Sequence, residues 1–104
     1  MSGGGGGTDF ELLEGDLYDD DYPEWAQDAG ISGTVYFRVT IGVNGRVSDC
    51  RVTRSIGNAR LDELTCRLVK KRFRFAPSRD AQGRAYVDTM FGEQTWVNQD
   101  RPGS

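Results

Sequence analysis

The stretch that decides the fold spans residues 34–54 and reads TVYFRVTIGVNGRVSDCRVTR. In its first half, Val35, Phe37, Val39 and Ile41 alternate with Tyr36, Arg38 and Thr40, the period of a strand with one buried face. Asn44 and Gly45 then sit between two strand-like runs. Both residue types tolerate the positive φ of a tight turn, so the pair signals a β-hairpin. The return strand covers residues 46–54, with Val47, Cys50 and Val52 as its apolar positions. Their uneven spacing breaks strict alternation and predicts a bulge near Ser48–Asp49.

Helical signals flank the hairpin. Tyr22-Pro23 opens a short helix of about two turns, because proline is pre-organised for a first turn and loses no needed donor there. Asp21 is placed to cap from just outside, and Glu24 suits the positive end of the helix dipole. Trp25, Ala26 and Ala29 supply its buried side, and Gly30 ends it. After the hairpin, Ser55–Gly57 turns the chain and Asn58 is an N-cap candidate. Leu61, Leu64, Thr65 and Leu68 follow the spacing of an amphipathic helix, with Cys66, Val69 and Phe73 along one flank. Pro77 prevents continuation. Asp80–Gly83 reads as a loop, and Arg84 to about Val97 as a long final strand interrupted near Gly92.

The order α-β-β-α-β predicts an α+β fold: a small antiparallel three-stranded sheet with two helices on one face. The folded domain is expected to cover residues 17–98. Residues 1–16 read as a flexible Gly-rich and acidic linker, native or engineered, and 99–104 as a tail. Residues 8–21, with Phe10, Leu12, Leu13, Leu17 and Tyr18 among acidic neighbours, fit either a weak helical turn or an extended arm docking on the domain.

Composition narrows the function. The 104 residues suffice for one domain, and 37% hydrophobic content suffices for one modest core. No apolar run approaches the roughly 20 residues of a membrane helix, and Met1 leads straight into Ser2 and Gly3–Gly7 with no signal-peptide pattern. Export or anchoring signals are therefore expected outside these residues. The net charge of −3 combines an acidic first segment with a basic cluster, Arg67, Lys70, Lys71, Arg72 and Arg74. That cluster is short and the balance acidic, which fits a solvated helix face better than a nucleic-acid site.

Histidine is absent, and neither cysteine sits in an activating motif, so no catalytic residue and no enzyme activity are expected. No cofactor or metal is expected either. Asp19, Asp20 and Asp21 lack the glycine and bidentate glutamate of a calcium loop, and two cysteines without histidine make a poor zinc site. The aspartates read as a solvated acidic arm that helps to steer a basic partner. Cys50 and Cys66 either fill core space as thiols or form a disulfide, which in an oxidising compartment adds roughly 3 kcal/mol in the chain-entropy model. The functional promise lies in Ala85–Phe91, expected at a sheet edge. Unpaired N–H and C=O groups there invite a strand from a partner, unless the acidic arm, the tail or a second copy covers them.

These residues together resemble the TonB C-terminal domain. The resemblance begins at Tyr22-Pro23 with Ala26, then takes in Gly30, Gly33 and Val35. It continues through Phe37 and Val39, Gly45-Arg46-Val47, and Ser55 and Gly57 ahead of Leu61-Asp62. It culminates in Lys71-Arg72-Phe73-Arg74-Phe75 with Pro77, similar to the family's basic–aromatic–basic–aromatic–x–Pro signature. Phe73 and Phe75 are expected to face the core and the sheet edge, with Arg72 and Arg74 toward solvent or backbone carbonyls.

The resemblance implies the periplasmic domain of an inner-membrane-anchored energy transducer, driven by ExbB and ExbD through a region outside this chain. The domain grips the TonB box of an outer-membrane transporter, and contacts its plug, during uptake of siderophore, haem or similar nutrients. Carried over, the receiving strand comprises Arg84, Ala85, Tyr86, Val87, Asp88, Thr89, Met90 and Phe91. Asp19, Asp20 and Asp21 match the segment near the bound transporter. A proline at Val87 or Thr89, whichever aims its N–H at the partner, is expected to weaken binding. Self-association through the last strand is a further implication, and the alternative is a TonB- or TolA-like interaction domain in envelope signalling or scaffolding. Two departures stand out: Asp19 replaces the family's glutamine three residues before the tyrosine, and the cysteine pair is absent from the best-known relatives.

Overall fold

The computed structural model describes residues 7–98; Gly3–Gly6 of the expected linker and the expected tail lie outside the described residues. In chain order the elements are β1 (Glu11–Glu14), a 3-10 turn (Asp19–Asp21), α1 (Glu24–Asp28), β2 (Gly33–Ile41), β3 (Val47–Arg54), α2 (Ala59–Arg72), β4 (Arg74–Ala76), β5 (Ser78–Arg79), β6 (Ala85–Tyr86) and β7 (Asp88–Trp96). The main sheet is antiparallel in the order β3-β2-β7. Its three strands and two helices form the α+β architecture expected of the sequence. The alternation read in β2 holds: Val35, Phe37, Val39 and Ile41 are buried, and face a core that includes Ala26, Leu61 and Val69.

The hairpin is bulged where its spacing indicates. Thr40 pairs with Asp49 but Ile41 pairs with Val47, which leaves Ser48 as the extra residue. A second shift, between the Tyr36–Arg54 and Phe37–Val52 pairs, leaves Thr53 extra. At the hairpin tip Gly45 has φ +82°. Its carbonyl accepts from the Phe75 N–H at 2.8 Å. A Cβ there would lie 2.0 Å from the Phe75 carbonyl oxygen, so only glycine lets the tip press against β4.

Asn58 caps α2, its side-chain oxygen accepting from the Leu61 N–H at 2.9 Å. The buried face of α2 is rotated from the one the periodicity suggested. Leu61, Asp62, Thr65, Cys66 and Val69 are buried, whereas Leu64 and Leu68 are only half-buried. Buried Asp62 accepts hydrogen bonds from the Ile56 N–H and the Ser55 hydroxyl, which fold the incoming turn onto the helix. Cys66 forms a disulfide with Cys50 of β3, with their Cα atoms 5.5 Å apart. Helix α1 is shorter than expected, and Asp21 does not cap it.

Of the two forms open to residues 8–21, the stretch before Leu17 takes that of an extended arm docked on the domain. The part of the expected linker from Thr8 onward is therefore paired: β1 runs antiparallel to β4, and Thr8 bridges to Arg79. The Phe10 ring packs edge-on against Phe75 at 5.9 Å between centroids. The final strand is also broken elsewhere than expected. Val87 separates β6, which pairs with β5, from β7, which runs through Gly92 without a register shift. Gly92 is where the Phe37 ring crosses the strand, since a Cβ there would lie 2.7 Å from Phe37 Cε1.

Gly92→Val should therefore lower unfolding stability by about 1–3 kcal/mol, the cost of overpacking a filled core. The added Phe37→Leu change should recover part of it, as read by denaturant titration. Reducing Cys50–Cys66, or replacing both by serine, should cost about 3 kcal/mol for a closed loop of this length in the same titration.

Candidate partner-binding edge

Among the described residues the sheet has two open edges, and they differ. β3 carries both bulges and is tied covalently to α2. β7 matches β2 over nine consecutive pairs, from Gly33–Trp96 to Ile41–Asp88, with no shift. It contains no Lys, Arg or Pro, the residues that usually blunt an edge. Among the described residues no strand lies beyond it. The acidic arm, which was a candidate cover, is engaged at β4 instead.

In an antiparallel pair, residues alternate between bonding the neighbouring strand and facing away from it. The phase is set by Thr89, whose N–H donates to the Asp88 carboxylate at 2.8 Å, and by the Thr95 carbonyl, which accepts from the Gln94 side-chain amide at 3.0 Å. Thr89, Phe91, Glu93 and Thr95 thus turn their backbone groups to the open edge. At the two ends, side chains of neighbouring residues occupy one of those groups each. The central pair, Phe91 and Glu93, presents its backbone without such a cap among the described residues.

Both ends of β7 are anchored. At its C-terminal end the Trp96 indole is buried and stacks on Tyr22, with centroids 6.1 Å apart. Its Nε1–H donates to the Thr65 hydroxyl at 2.9 Å, and that hydroxyl donates to the Leu61 carbonyl at 2.9 Å. The Tyr22 hydroxyl donates to the carbonyls of Ala26 and Ile31, closing the turn out of α1, which Pro23 immediately precedes. At the N-terminal end, buried Ser78 donates to Asp88 at 2.6 Å and accepts from the Phe10 N–H at 2.9 Å. The Ser78 hydroxyl, followed by the Thr89 N–H, holds the Asp88 carboxyl below its ordinary value.

Of the residues expected to receive a partner, Asp88, Thr89, Met90 and Phe91 lie on the edge strand. Arg84 lies in the loop, paired with Asp80 at 3.5 Å. Ala85 and Tyr86 pair with β5, and Val87 falls between strands. Gly92–Trp96 extend the edge beyond the expected range. Asp21 is occupied as well: its carboxylate accepts two hydrogen bonds from Arg72, at 2.6 and 2.8 Å, and one from the Tyr18 N–H at 2.8 Å. Asp19 and Asp20 remain exposed. Phe73 and Phe75 are buried, and Arg74 donates to the carbonyls of Lys71 and Phe73. Gly33 begins β2, and half-buried Pro77 separates β4 from β5.

No group of three or more metal-ligating side chains converges among the described residues. Nor is any helix among them long and apolar enough to cross a membrane.

The family model described as Gram-negative bacterial TonB protein C-terminal matches residues 19–91. The fold is similar to the solution NMR structure of the Pseudomonas aeruginosa TonB C-terminal domain, with a TM-score of 0.67 and 27% identity, covering 89% of this chain and 90% of that one. No curated protein matches significantly.

The arm should come loose in acid. Hydrogen bonds from Arg72, then the Tyr18 N–H and the charge of Arg72, lower the Asp21 carboxyl against the opposing effect of burial. Asp88 is lowered too. A carboxyl lowered in the folded state contributes stability above its unfolded value, and that contribution is lost as pH falls through the folded value. Amide exchange at residues 11–14 should accelerate below the ordinary aspartate value of 3.8, and Asp21→Asn should accelerate it already at neutral pH. Equal protection of the arm in both proteins at neutral pH would show that the ion pair does not hold it.

Proposed function

Because the chain belongs to the Gram-negative bacterial TonB C-terminal family, we propose that its β7 edge receives the TonB box of an outer-membrane transporter as an added strand. The observation that carries this reading is the uninterrupted nine-pair ladder of β7 on β2, whose other side no strand covers among the described residues. Such an edge supplies main-chain donors and acceptors at a regular spacing, the requirement for strand addition. Main-chain recognition is nearly blind to sequence, which suits a domain that serves several transporters. The family is a protein-interaction module, and we assign this chain binding and no catalysis.

The domain then acts in the periplasm, as family members do, at the end of an inner-membrane-anchored transducer. ExbB and ExbD act on the region that precedes it. Tension on the domain passes through the bound TonB box to the transporter plug and drives nutrient uptake. An oxidising periplasm also suits the Cys50–Cys66 disulfide. Asp19 and Asp20, exposed beside the tethered Asp21, are free to meet basic groups of the transporter plug.

The proline test belongs at Glu93. Val87 is outside the strand and the Thr89 N–H is already engaged by Asp88, whereas the Glu93 N–H faces the partner. Glu93→Pro should weaken binding of TonB-box peptides at least about tenfold, through one lost hydrogen bond and a clash of the ring with the added strand. The unfolding midpoint should hardly change, because that N–H bonds no neighbour within the sheet. Unaltered peptide affinity, measured by calorimetry on the folded variant, sinks the assignment of this edge.

A further inference from the structure

Phe91 is the most exposed of the large apolar side chains on the described surface, 74% accessible. It sits near the middle of β7, on the sheet face away from the helices. Its lateral neighbour on β2 is Arg38, and its neighbours along β7 on the same face are Thr89 and Glu93. None of these buries an aromatic ring, and among the described residues no ring contact or cation–π partner involves Phe91. The remaining lateral position is the one an added strand would fill. Cross-strand pairs are the unit by which a sheet selects side chains, with aromatic and β-branched residues the preferred partners of an aromatic ring.

We infer that Phe91 is the specificity-determining side chain of the open edge, and that it selects an extended peptide carrying a β-branched or aromatic residue directly opposite. This inference rests on the strand-addition reading and adds a side-chain rule to it. The Phe91 backbone faces the edge, so the opposing peptide residue forms a hydrogen-bonded pair with it, and both side chains fall on the uncovered face. Two positions along, the peptide residue opposite Glu93 meets a carboxylate. An acidic residue there is disfavoured by like-charge repulsion. The Thr89 and Thr95 positions on the same face impose no comparable demand. The edge thus combines a sequence-tolerant ladder with one apolar contact that sets the register.

The test uses TonB-box peptides in which each position in turn is replaced by Val or Asp, titrated against the wild-type domain and Phe91→Thr. Threonine retains strand propensity at an exposed site, so the ladder is preserved. In the wild type two peptide positions, two residues apart, should disfavour Asp. The one opposite Glu93 does so through charge and is unaffected by Phe91. The one opposite Phe91 should prefer Val over Asp by about fivefold or more, the size of a strong cross-strand pair. In Phe91→Thr that preference should fall below about twofold, while amide shifts on peptide binding still run along residues 89–95. An undiminished preference at that position in Phe91→Thr overturns the inference while strand addition stands. Shifts that avoid β7 altogether overturn strand addition itself. Concentration-dependent dimers that protect Phe91 and exclude peptide would assign the ring to a second copy and also overturn the proposal.

Discussion

Burying the Trp96 indole obliges its N–H to find an acceptor inside the domain, and it finds the Thr65 hydroxyl at 2.9 Å. That hydroxyl is itself held by the Leu61 carbonyl, so the end of β7 is fixed against the first turns of α2. Tyr22 stacks on the other side of the indole and reaches the carbonyls that close the turn from α1 into β2. One tryptophan thereby joins both helices to the last strand. The edge stays in register with β2 because this end is held. At the opposite end, the buried Ser78 hydroxyl gathers Asp88 and the arm. Between the anchors, Gly92 lets Phe37 lie across the strand without distorting it. The result is a strand immobilised from behind whose outward backbone remains available.

The basic–aromatic segment at the end of α2 has a structural role that its charge pattern conceals. Phe73 and Phe75 are core residues, and β4 lies between the arm and the hairpin tip, bonding β1 on one side and meeting Gly45 and Arg46 on the other. Arg72 pairs with Asp21, and Arg74 turns back onto carbonyls of its own segment. Neither arginine needs a nucleic acid or an acidic partner to account for it. The cluster fastens together three parts of the chain that are distant in sequence.

Elements with strong local signals were legible in the sequence. The β2–β3 hairpin, its bulge at Ser48, the Asn58 cap and the α+β class all follow from periodicity and turn chemistry within short windows. What escaped depends on partners far along the chain. β1 is four exposed residues whose partner, β4, lies some sixty positions away, so nothing local marks it as a strand. The buried face of α2 turned because Asp62 is claimed by the Ser55–Ile56 turn and Thr65 by Trp96. Polar residues entered the core there and left Leu64 and Leu68 half-buried. Gly92 looked like a break because its missing side chain was read along β7, whereas its reason lies across the sheet in Phe37. The open edge of the main sheet starts farther along the chain than Arg84, because pairing with β5 draws Ala85 and Tyr86 out of that sheet.

The disulfide also bears on how far the domain can lengthen under load. Cys50 and Cys66 are 16 positions apart, and at roughly 3.4 Å per extended residue that segment holds about 50 Å of contour. While the bond is intact, none of that length can be paid out when the chain is drawn from one end. Under the function proposed above, such inextensibility would serve to convey a pull, because displacement applied at one side is less absorbed as slack within the hairpin and helix. In mechanical terms the covalent bridge makes the centre of the domain a stiff link, leaving the noncovalently held arm as the compliant element in series with it.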